Sequence, residues 1–225
     1  MIKKITTALF SILLGSAFAN ADSTNIGLKI SYGSMDATGS HTTNSTTAGS
    51  LGSGGAAVSA SGDASFPFGS VFIERQISAG SMDVALGLDI NPTTQEVDKL
   101  GGGDGFDATV DMGNLYTAYI QPMLASNGNV TFFAKLGYSQ ADLDIKDITR
   151  QATTAGTAST DGNTSKSLEG PMYGIGVNVS LESSFVRLEA TRTDFDEISH
   201  TNSNGKIVKA DAELDAISIS FGKSF

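Results

Sequence analysis

The last nine residues of the chain, Ile217 to Phe225, read ISISFGKSF. Every second position carries a long side chain, and serine or glycine fills the positions between. This period of two predicts a β-strand, because successive side chains of a strand point to opposite faces. One face of the strand is therefore apolar, apart from Lys223, while the other face is small and polar.

The same period recurs along the chain. Apolar rows with mostly small or polar partners begin at six further places: Ile26, Val71, Met82, Val130, Pro171 and Val186. Residues 111–122 also look like a strand, but both faces of that segment are mixed, so its phase stays open. Together these segments predict an all-β chain of eight strands.

The connections between the predicted strands alternate in length. Short, turn-forming connections lie near 78–81, 126–129 and 182–184, and long ones span about 36–65, 91–109, 144–167 and 194–211. Several long loops are unusual in a compact soluble domain, whereas outer-membrane barrels combine short periplasmic turns with longer extracellular loops. We therefore predict an eight-stranded antiparallel up-and-down transmembrane β-barrel over residues 22–225, with apolar rows facing lipid and small or polar rows facing the lumen.

Aromatic residues support this orientation. Chain direction places Tyr32, Tyr138 and Tyr173 near the strand ends that face the long loops, and Phe225 at the opposite rim. Aromatic girdles at both membrane interfaces are expected of such barrels.

A targeting signal is predicted at the start of the chain. Lys3 and Lys4 precede an apolar run that closes with small residues. This order is typical of a secretory signal peptide, here over residues 1–21, with cleavage after Ala19 or Ala21. The run is shorter than the roughly 20 apolar residues that a membrane-spanning helix needs, and no later segment reaches that length.

The composition excludes several classes of function. The chain has no cysteine, which rules out disulfides, zinc–thiolate centres, iron–sulfur clusters and a thiol nucleophile. A net charge of −10 argues against binding nucleic acid, because protein surfaces that bind nucleic acid are basic. No cofactor is predicted.

Two acidic patterns raise the question of a metal site. Residues 102–107 match one copy of the glycine–aspartate repeat that binds calcium in β-helices, but that motif works by stacking many copies. Acidic residues also gather near the outer ends of predicted strands, where they could share Mg²⁺ or Ca²⁺ with lipopolysaccharide phosphates. These residues are Asp142, Asp144, Asp147, Asp194, Asp196 and Glu197. We interpret residues 102–107 as a loop and the other acidic residues as a solvated rim, so no metal site is predicted.

Charged residues occur in the rows that are predicted to face the lumen: Lys29, Glu74, Asp83, Asp89, Lys135, Arg187 and Glu189. Opposite charges in a narrow interior must pair, because an unpaired buried charge is costly. We predict a network that plugs the barrel, centred on Arg187 with Glu74 or Glu189. The alternative is a charged constriction that selects ions in a narrow pore.

With its predicted signal, its eight-strand pattern and its terminal Phe225, the sequence resembles the small outer-membrane β-barrels of Gram-negative bacteria, the OmpA-like and opacity-protein group. In that family the last strand, which ends in an aromatic residue, is recognised by the barrel assembly machinery. The resemblance therefore implies a terminal assembly signal made of Ile217, Ile219, Phe221 and Phe225. Lys223 departs from the usual apolar preference near the end.

Some small barrels of this kind are enzymes that modify lipids, and they use a histidine with a serine and an acid. The sequence has two histidines, His41 and His200, and both lie in predicted loops. His200 has Glu197 and Ser199 nearby, but neither histidine belongs to a phased strand. We therefore expect no catalytic residues and no enzymatic activity.

The expected location is the outer membrane, with the long loops outside. We expect a structural or surface-interaction protein that holds acidic loops rich in Ser, Thr and Gly above the membrane. The expected partners are outer-membrane lipids, lipopolysaccharide and, during biogenesis, the barrel assembly machinery. A narrow porin-like channel for ions or small solutes is the alternative, and a lipid-modifying enzyme is a less favoured third reading.

Overall fold

The computed structural model describes residues 23–43, 58–79, 82–102, 106–125, 128–150, 164–201 and 206–225. Within these ranges the chain forms nine β-strands: β1 (Ser23–Thr43), β2 (Val58–Ala79), β3 (Met82–Asn91), β4 (Gln95–Gly102), β5 (Phe106–Ala125), β6 (Val130–Arg150), β7 (Thr164–Leu181), β8 (Ser184–Thr201) and β9 (Lys206–Ser224). β3 and β4 are two parts of one barrel strand, interrupted at residues 92–94. The predicted signal peptide lies outside the described residues.

The strands close into an antiparallel barrel. β1 pairs with β9 from Asn25 to Thr43, and β3 pairs with β5 on the opposite side of the sheet. The remaining strands pair with their neighbours in sequence. Because closure pairs the backbone groups that an open sheet would expose to lipid, this architecture can cross a membrane. The prediction of an eight-stranded antiparallel barrel is confirmed.

The described residues contain no helix that is long and apolar enough to cross a membrane.

The barrel has two distinct ends. At one end β2 meets β3, β5 meets β6 and β7 meets β8, and β1 begins where β9 finishes. We call this the turn end, and the opposite end the loop end. Phe225 lies at the turn end, where it exchanges backbone hydrogen bonds of 2.9 and 3.0 Å with Thr24.

The strands continue far into the segments that the sequence predicted as loops, about 36–65, 91–109, 144–167 and 194–211. β1 and β2, for example, stay paired out to His41 opposite Val58. The predicted loop boundaries were therefore wrong. The residues left between the strands are 44–57, 103–105, 151–163 and 202–205, and they lie outside the described residues. Backbone hydrogen bonds hold such extensions together, so they need no continuous apolar row to persist.

A bulge explains why residues 111–122 could not be phased. The register of β5 against β6 shifts between Gly113 and Tyr116, and Asn114 has a left-handed φ of 48°. Met112 faces the interior on one side of the bulge, and Thr117 faces it on the other. An extra residue in a strand reverses the alternation, so no single period of two fits the segment.

The outer face of the turn-end half is an apolar belt. Many of its side chains are large and exposed, for example 42% at Ile73 and 72% at Ile217. Tyr32, Tyr116, Tyr138 and Tyr173 close the belt toward the loop end, and each is also exposed. The face assignments and the tyrosine girdle predicted from the sequence are thus found in the structure, with Tyr116 as an addition.

Beyond the tyrosines the polarity of the barrel reverses. On β1 the outward positions become Ser34, Asp36 and Thr38, while Met35 turns inward and is buried. Seven strands contribute to one buried apolar cluster, which we call the apolar layer: Met35, Phe66, Phe68, Met112, Ala141, Leu143, Leu168, Phe195, Leu214 and Ala216. The loop-end half is therefore built like a water-soluble barrel, with an apolar interior and a polar exterior.

Candidate functional site

A bidentate ion pair occupies the lumen of the turn-end half. Arg187 on β8 donates from Nη1 to Glu74 Oε2 at 3.0 Å and from Nη2 to Glu74 Oε1 at 2.6 Å. Asn25 and Tyr119 also donate to the two oxygens of Glu74, at 3.0 and 2.8 Å. Both members of the pair are almost completely buried. The planar fork of arginine matches a carboxylate in this geometry, and the extra donors help to offset desolvation of the charges.

A second group of charges lies beside this pair. Lys135 donates to Glu189 at 2.6 Å, and Lys29 lies 3.2 Å from the other oxygen of Glu189. Lys29 also pairs with Asp89. The two groups together contain three cationic and three anionic side chains, and each is paired with an opposite charge. Their balanced charge is consistent with a closed network, because each buried charge has an opposite partner.

Aromatic rings surround the cations. The guanidinium carbon of Arg187 lies 5.0 to 5.3 Å from the ring centres of Phe72, Phe133 and Phe185. Lys135 Nζ lies 4.3 Å from the ring centre of Tyr119. Cations over ring faces at these distances are attracted by the ring quadrupole, and most strongly where water is excluded.

Each of these rings lies over a glycine on the neighbouring strand. The four directly opposed pairs are Phe72 with Gly27, Tyr119 with Gly87, Phe133 with Gly176, and Phe185 with Gly222. A Cβ atom at any of these glycines would fall 2.1 to 2.4 Å from a ring atom, so a side chain there would displace the ring. The sequence suggested that the lumen row is mostly small or polar, and the structure corrects this: many of the small residues make room for large ones.

Little space remains above the charges. A cavity of about 30 Å³ lies between the network and the apolar layer, with Lys29, Asp89 and Phe68 among its lining residues. That volume is about enough for one water molecule. Ser31 on β1 and Ser218 on β9 line the same cavity, and their hydroxyl oxygens form a hydrogen bond of 2.8 Å.

The structure brings together six of the seven charged residues that the sequence predicted to face the lumen. Lys29, Glu74, Lys135, Arg187 and Glu189 join Asp89, and Arg187 takes Glu74 rather than Glu189 as its bidentate partner. Asp83 is placed elsewhere: it accepts hydrogen bonds from Gln76 and Ser78 at 3.0 and 2.8 Å, beside the β2–β3 turn. Asp83 lies six positions before Asp89 on β3, which is about 20 Å along the strand, so the prediction that Asp83 joins the network was wrong.

Sequence reasoning missed the polar and aromatic partners of the network. The face of Tyr119 could not be predicted, because the bulge in β5 interrupts the alternation of that strand. Asn25 lies on the lumen face of β1 but carries no charge to draw attention to it. Phe72, Phe133 and Phe185 lie in lumen rows, and the glycines that they cover lie on neighbouring strands, so no pattern within one strand pointed to them.

The predicted acidic rim lies on the loop-end half. Asp142 accepts a hydrogen bond from Asn114 at 3.0 Å, and Asp196 accepts one from Tyr138 at 3.4 Å. Lys209 donates to Glu197 at 2.7 Å, and this contact raises the pKa of Lys209. Within the described part of the chain, no three acidic or histidine side chains come close enough to hold a metal ion.

Several predicted features fall outside the described residues. They include residues 103–105 of the glycine–aspartate motif and the side chains of His41, Asp147 and His200. The terminal row is described: Ile217, Ile219, Phe221 and Phe225 are all exposed on the outer face. Their role as an assembly signal stays a prediction.

Comparison with known proteins shows likeness of fold at low sequence identity. No protein-family model and no curated protein matches the chain. The outer membrane protein OprG from Pseudomonas aeruginosa is 13% identical, with 92% of this chain and 98% of that chain covered and a TM-score of 0.53.

Two further solved structures are also similar. The outer membrane protease OmpT from Escherichia coli is 10% identical, with 91% of this chain and 97% of that chain covered and a TM-score of 0.48. Ail, the attachment invasion locus protein of Yersinia pestis, is 11% identical, with 90% and 99% covered and a TM-score of 0.43. With its closed eight-strand barrel and exposed apolar belt, this chain therefore has the fold of the outer membrane protein OprG.

Proposed function

We propose that this protein is a non-conducting, non-enzymatic outer-membrane barrel that serves as a rigid anchor for its loop-end half. The observation that carries the proposal is the filled lumen, in which the Arg187–Glu74 pair is buried by aromatic rings. A role in structure or surface interaction then belongs to the part of the protein that extends beyond the tyrosine girdle.

Two different barriers support a closed lumen. The charge network fills the turn-end half, where an ion would have to displace paired side chains. The apolar layer follows toward the loop end, and an apolar constriction resists the entry of water and ions. A solute that crosses the barrel would have to pass both barriers in series.

The exterior of the loop-end half supports an interaction role. Its outward positions carry many carboxylates, including the exposed Asp36, Asp63, Asp196, Glu197 and Asp211. Strands present such groups more rigidly than loops do, and binding residues are commonly held on a rigid scaffold. Outer-membrane lipids and lipopolysaccharide are the proposed neighbours of the belt, and the barrel assembly machinery is the proposed reader of the terminal row.

Single-channel recording tests the closed lumen. The full chain, refolded from detergent into a planar bilayer, is compared with Arg187→Ala, Leu214→Ala and the double variant. We expect wild type and both single variants to be silent, because one barrier survives in each. The double variant opens both barriers, so intermittent conducting steps are expected from it.

The matched control is Arg192→Ala. Arg192 is the other arginine of β8, but it lies on the outer face, so its loss should not affect conduction. Steady ion-selective steps from the wild-type protein would overturn the proposal in favour of the narrow channel. Conduction by Arg187→Ala alone would show that the apolar layer is not a second barrier.

A further inference from the structure

Two charged side chains interrupt the apolar belt near the turn end. In the outward rows of the described strands, on the turn-end side of the tyrosines, the charged residues are Arg75 on β2 and Lys223 on β9. The other charged side chains described in this half face the lumen or lie beside a turn, as Asp83 and Glu182 do. The described part of the belt thus carries two positive charges and no negative charge.

Both cations lie beside the first residues of β1. Arg75 is directly opposite Thr24 and donates a hydrogen bond to Thr24 Oγ1. Lys223 is directly opposite Ile26, and its Nζ lies 5.3 Å from the ring centre of Phe225. Two backbone hydrogen bonds join Thr24 to Phe225. The two cationic heads therefore flank one backbone pair at the rim of the barrel.

The position of these cations at the end of the belt determines what they can meet. Long basic side chains near the end of a membrane-spanning segment keep their stems in the apolar region and extend their charged heads to the interface. The phosphate groups of lipid headgroups lie at that level. Because the described outward rows add two positive charges and no carboxylate there, the patch favours a headgroup with net negative charge over a zwitterionic one.

We propose that Arg75 and Lys223 bind the headgroup of an anionic phospholipid in the leaflet at the turn end, which is the periplasmic side in barrels of this kind. An acyl chain of this lipid lies along the exposed apolar row of β1 that contains Ile26 and Leu28. The inference rests on the proposed membrane anchor and names the lipid class that one site on its belt takes. It also gives a role in the folded protein to Lys223, which interrupts the apolar terminal row.

Tryptophan fluorescence tests which lipid lies at this site. The chain has no tryptophan, so Ile26→Trp places a single reporter directly opposite Lys223 and one outward position from Thr24. The full chain is refolded into vesicles of phosphatidylcholine and phosphatidylglycerol, with bromine in the acyl chains of one lipid or of the other. Bromine quenches a neighbouring indole, so the two quenching curves give the relative association constant of the anionic lipid.

Phe132→Trp is the matched control reporter. Phe132 lies at the turn end of β6, on the opposite side of the barrel, and it is exposed on the outer face. Its directly opposite neighbours are Leu124 and Val177, so it has the same lipid environment without a cation beside it.

We expect phosphatidylglycerol to be favoured at the Ile26→Trp reporter and neither lipid to be favoured at Phe132→Trp. A basic side chain near an anionic membrane surface contributes about a fivefold preference. Lys223→Gln and Arg75→Gln should each lower the preference by about that factor, whereas Lys223→Arg should keep it. Lys209→Gln removes a cation from the loop-end part of β9 and should change nothing. Added salt should weaken the preference, because it screens the charges.

Three results would overturn the inference. Equal lipid preference at the two reporters would show that the rim beside β1 is not a site. A preference that survives Lys223→Gln combined with Arg75→Gln would assign it to other side chains. Equal association of phosphatidylethanolamine and phosphatidylglycerol, each measured against phosphatidylcholine, would show that net charge is not what is recognised. Failure of every brominated lipid to quench Phe132→Trp would instead contradict the proposed membrane anchor, so the two kinds of failure are distinguishable.

Discussion

The two halves of this barrel have opposite polarity although the same strands run through both. On β1 the outward side chains change from Leu28 and Ile30 to Ser34 and Asp36, while the inward ones change from Lys29 and Ser31 to Met35. The reversal occurs at Tyr32, one of the four exposed tyrosines. The surroundings of the barrel wall thus change from hydrocarbon to water at that level. The apolar face of the turn-end half lies against lipid, and that of the loop-end half lies against the barrel interior.

The same strands are thus stabilised in two different ways in the two halves. In the turn-end half the interior is held by charge pairs and by rings lying over glycines, since the apolar side chains are committed to lipid. In the loop-end half the apolar layer itself is the core, as in a soluble domain. Substitutions of the same kind should therefore have different effects in the two halves.

The largest effect is expected from Arg187→Ala in the interior of the turn-end half. It leaves Glu74 buried without its cation, and breaking a buried pair in this way costs about 3–5 kcal/mol. Urea unfolding of the refolded protein in lipid vesicles measures the loss. Arg192→Ala is the control, because the 2.6 Å pair of Arg192 with Asp215 is exposed and its loss should matter much less.

Removing both partners sharpens this test. The double variant Glu74→Ala with Arg187→Ala leaves neither charge unpaired, so it should lose less stability than the sum of the two single variants. Equal unfolding curves for Arg187→Ala and Arg192→Ala would contradict the assignment of Arg187 to a buried network.

The next largest effect is expected on the outer face. Leu28→Arg puts a charge in the apolar belt, and an arginine on the lipid face near the bilayer midplane costs about 2–4 kcal/mol. Ser34→Arg makes the same change on the same face of β1, beyond Tyr32, and should be nearly neutral. The two variants are compared by the same unfolding measurement, and similar losses would place the membrane boundary elsewhere.

The smallest effect concerns hydroxyl pairs. Ser218→Ala removes a buried hydrogen bond to Ser31 in the lumen and should cost about 1 kcal/mol. Ser65→Ala removes the exposed 3.4 Å contact with Ser34, where water replaces the lost partner, so little change is expected. If both variants unfold like wild type, the hydrogen bond between Ser31 and Ser218 does not contribute measurably to stability.

Much of the fold was predictable because lipid imposes a simple rule. A strand that crosses hydrocarbon must show apolar residues on one face, and Ile217, Ile219 and Phe221 display that period directly. The rule fails where lipid ends. Asp36 to Thr43 looked like a loop because the segment has almost no apolar residues, yet the strand continues there. The bulge at Gly113 to Tyr116 hid the phase of β5 for a local reason, since one extra residue reverses the alternation.

The period-two rows of residues, with turn-forming segments between them, were enough to predict the fold class, a closed antiparallel barrel with one apolar outer face. The sequence also indicated that lumen charges must pair, because burial leaves them no other choice. The pairing of Arg187 with Glu74, 113 residues away, and the separate position of Asp83 became known only from the folded structure. These pairings depend on the register between distant strands, because the register fixes the height of each side chain in the barrel. The periodicity within a single strand does not contain this information.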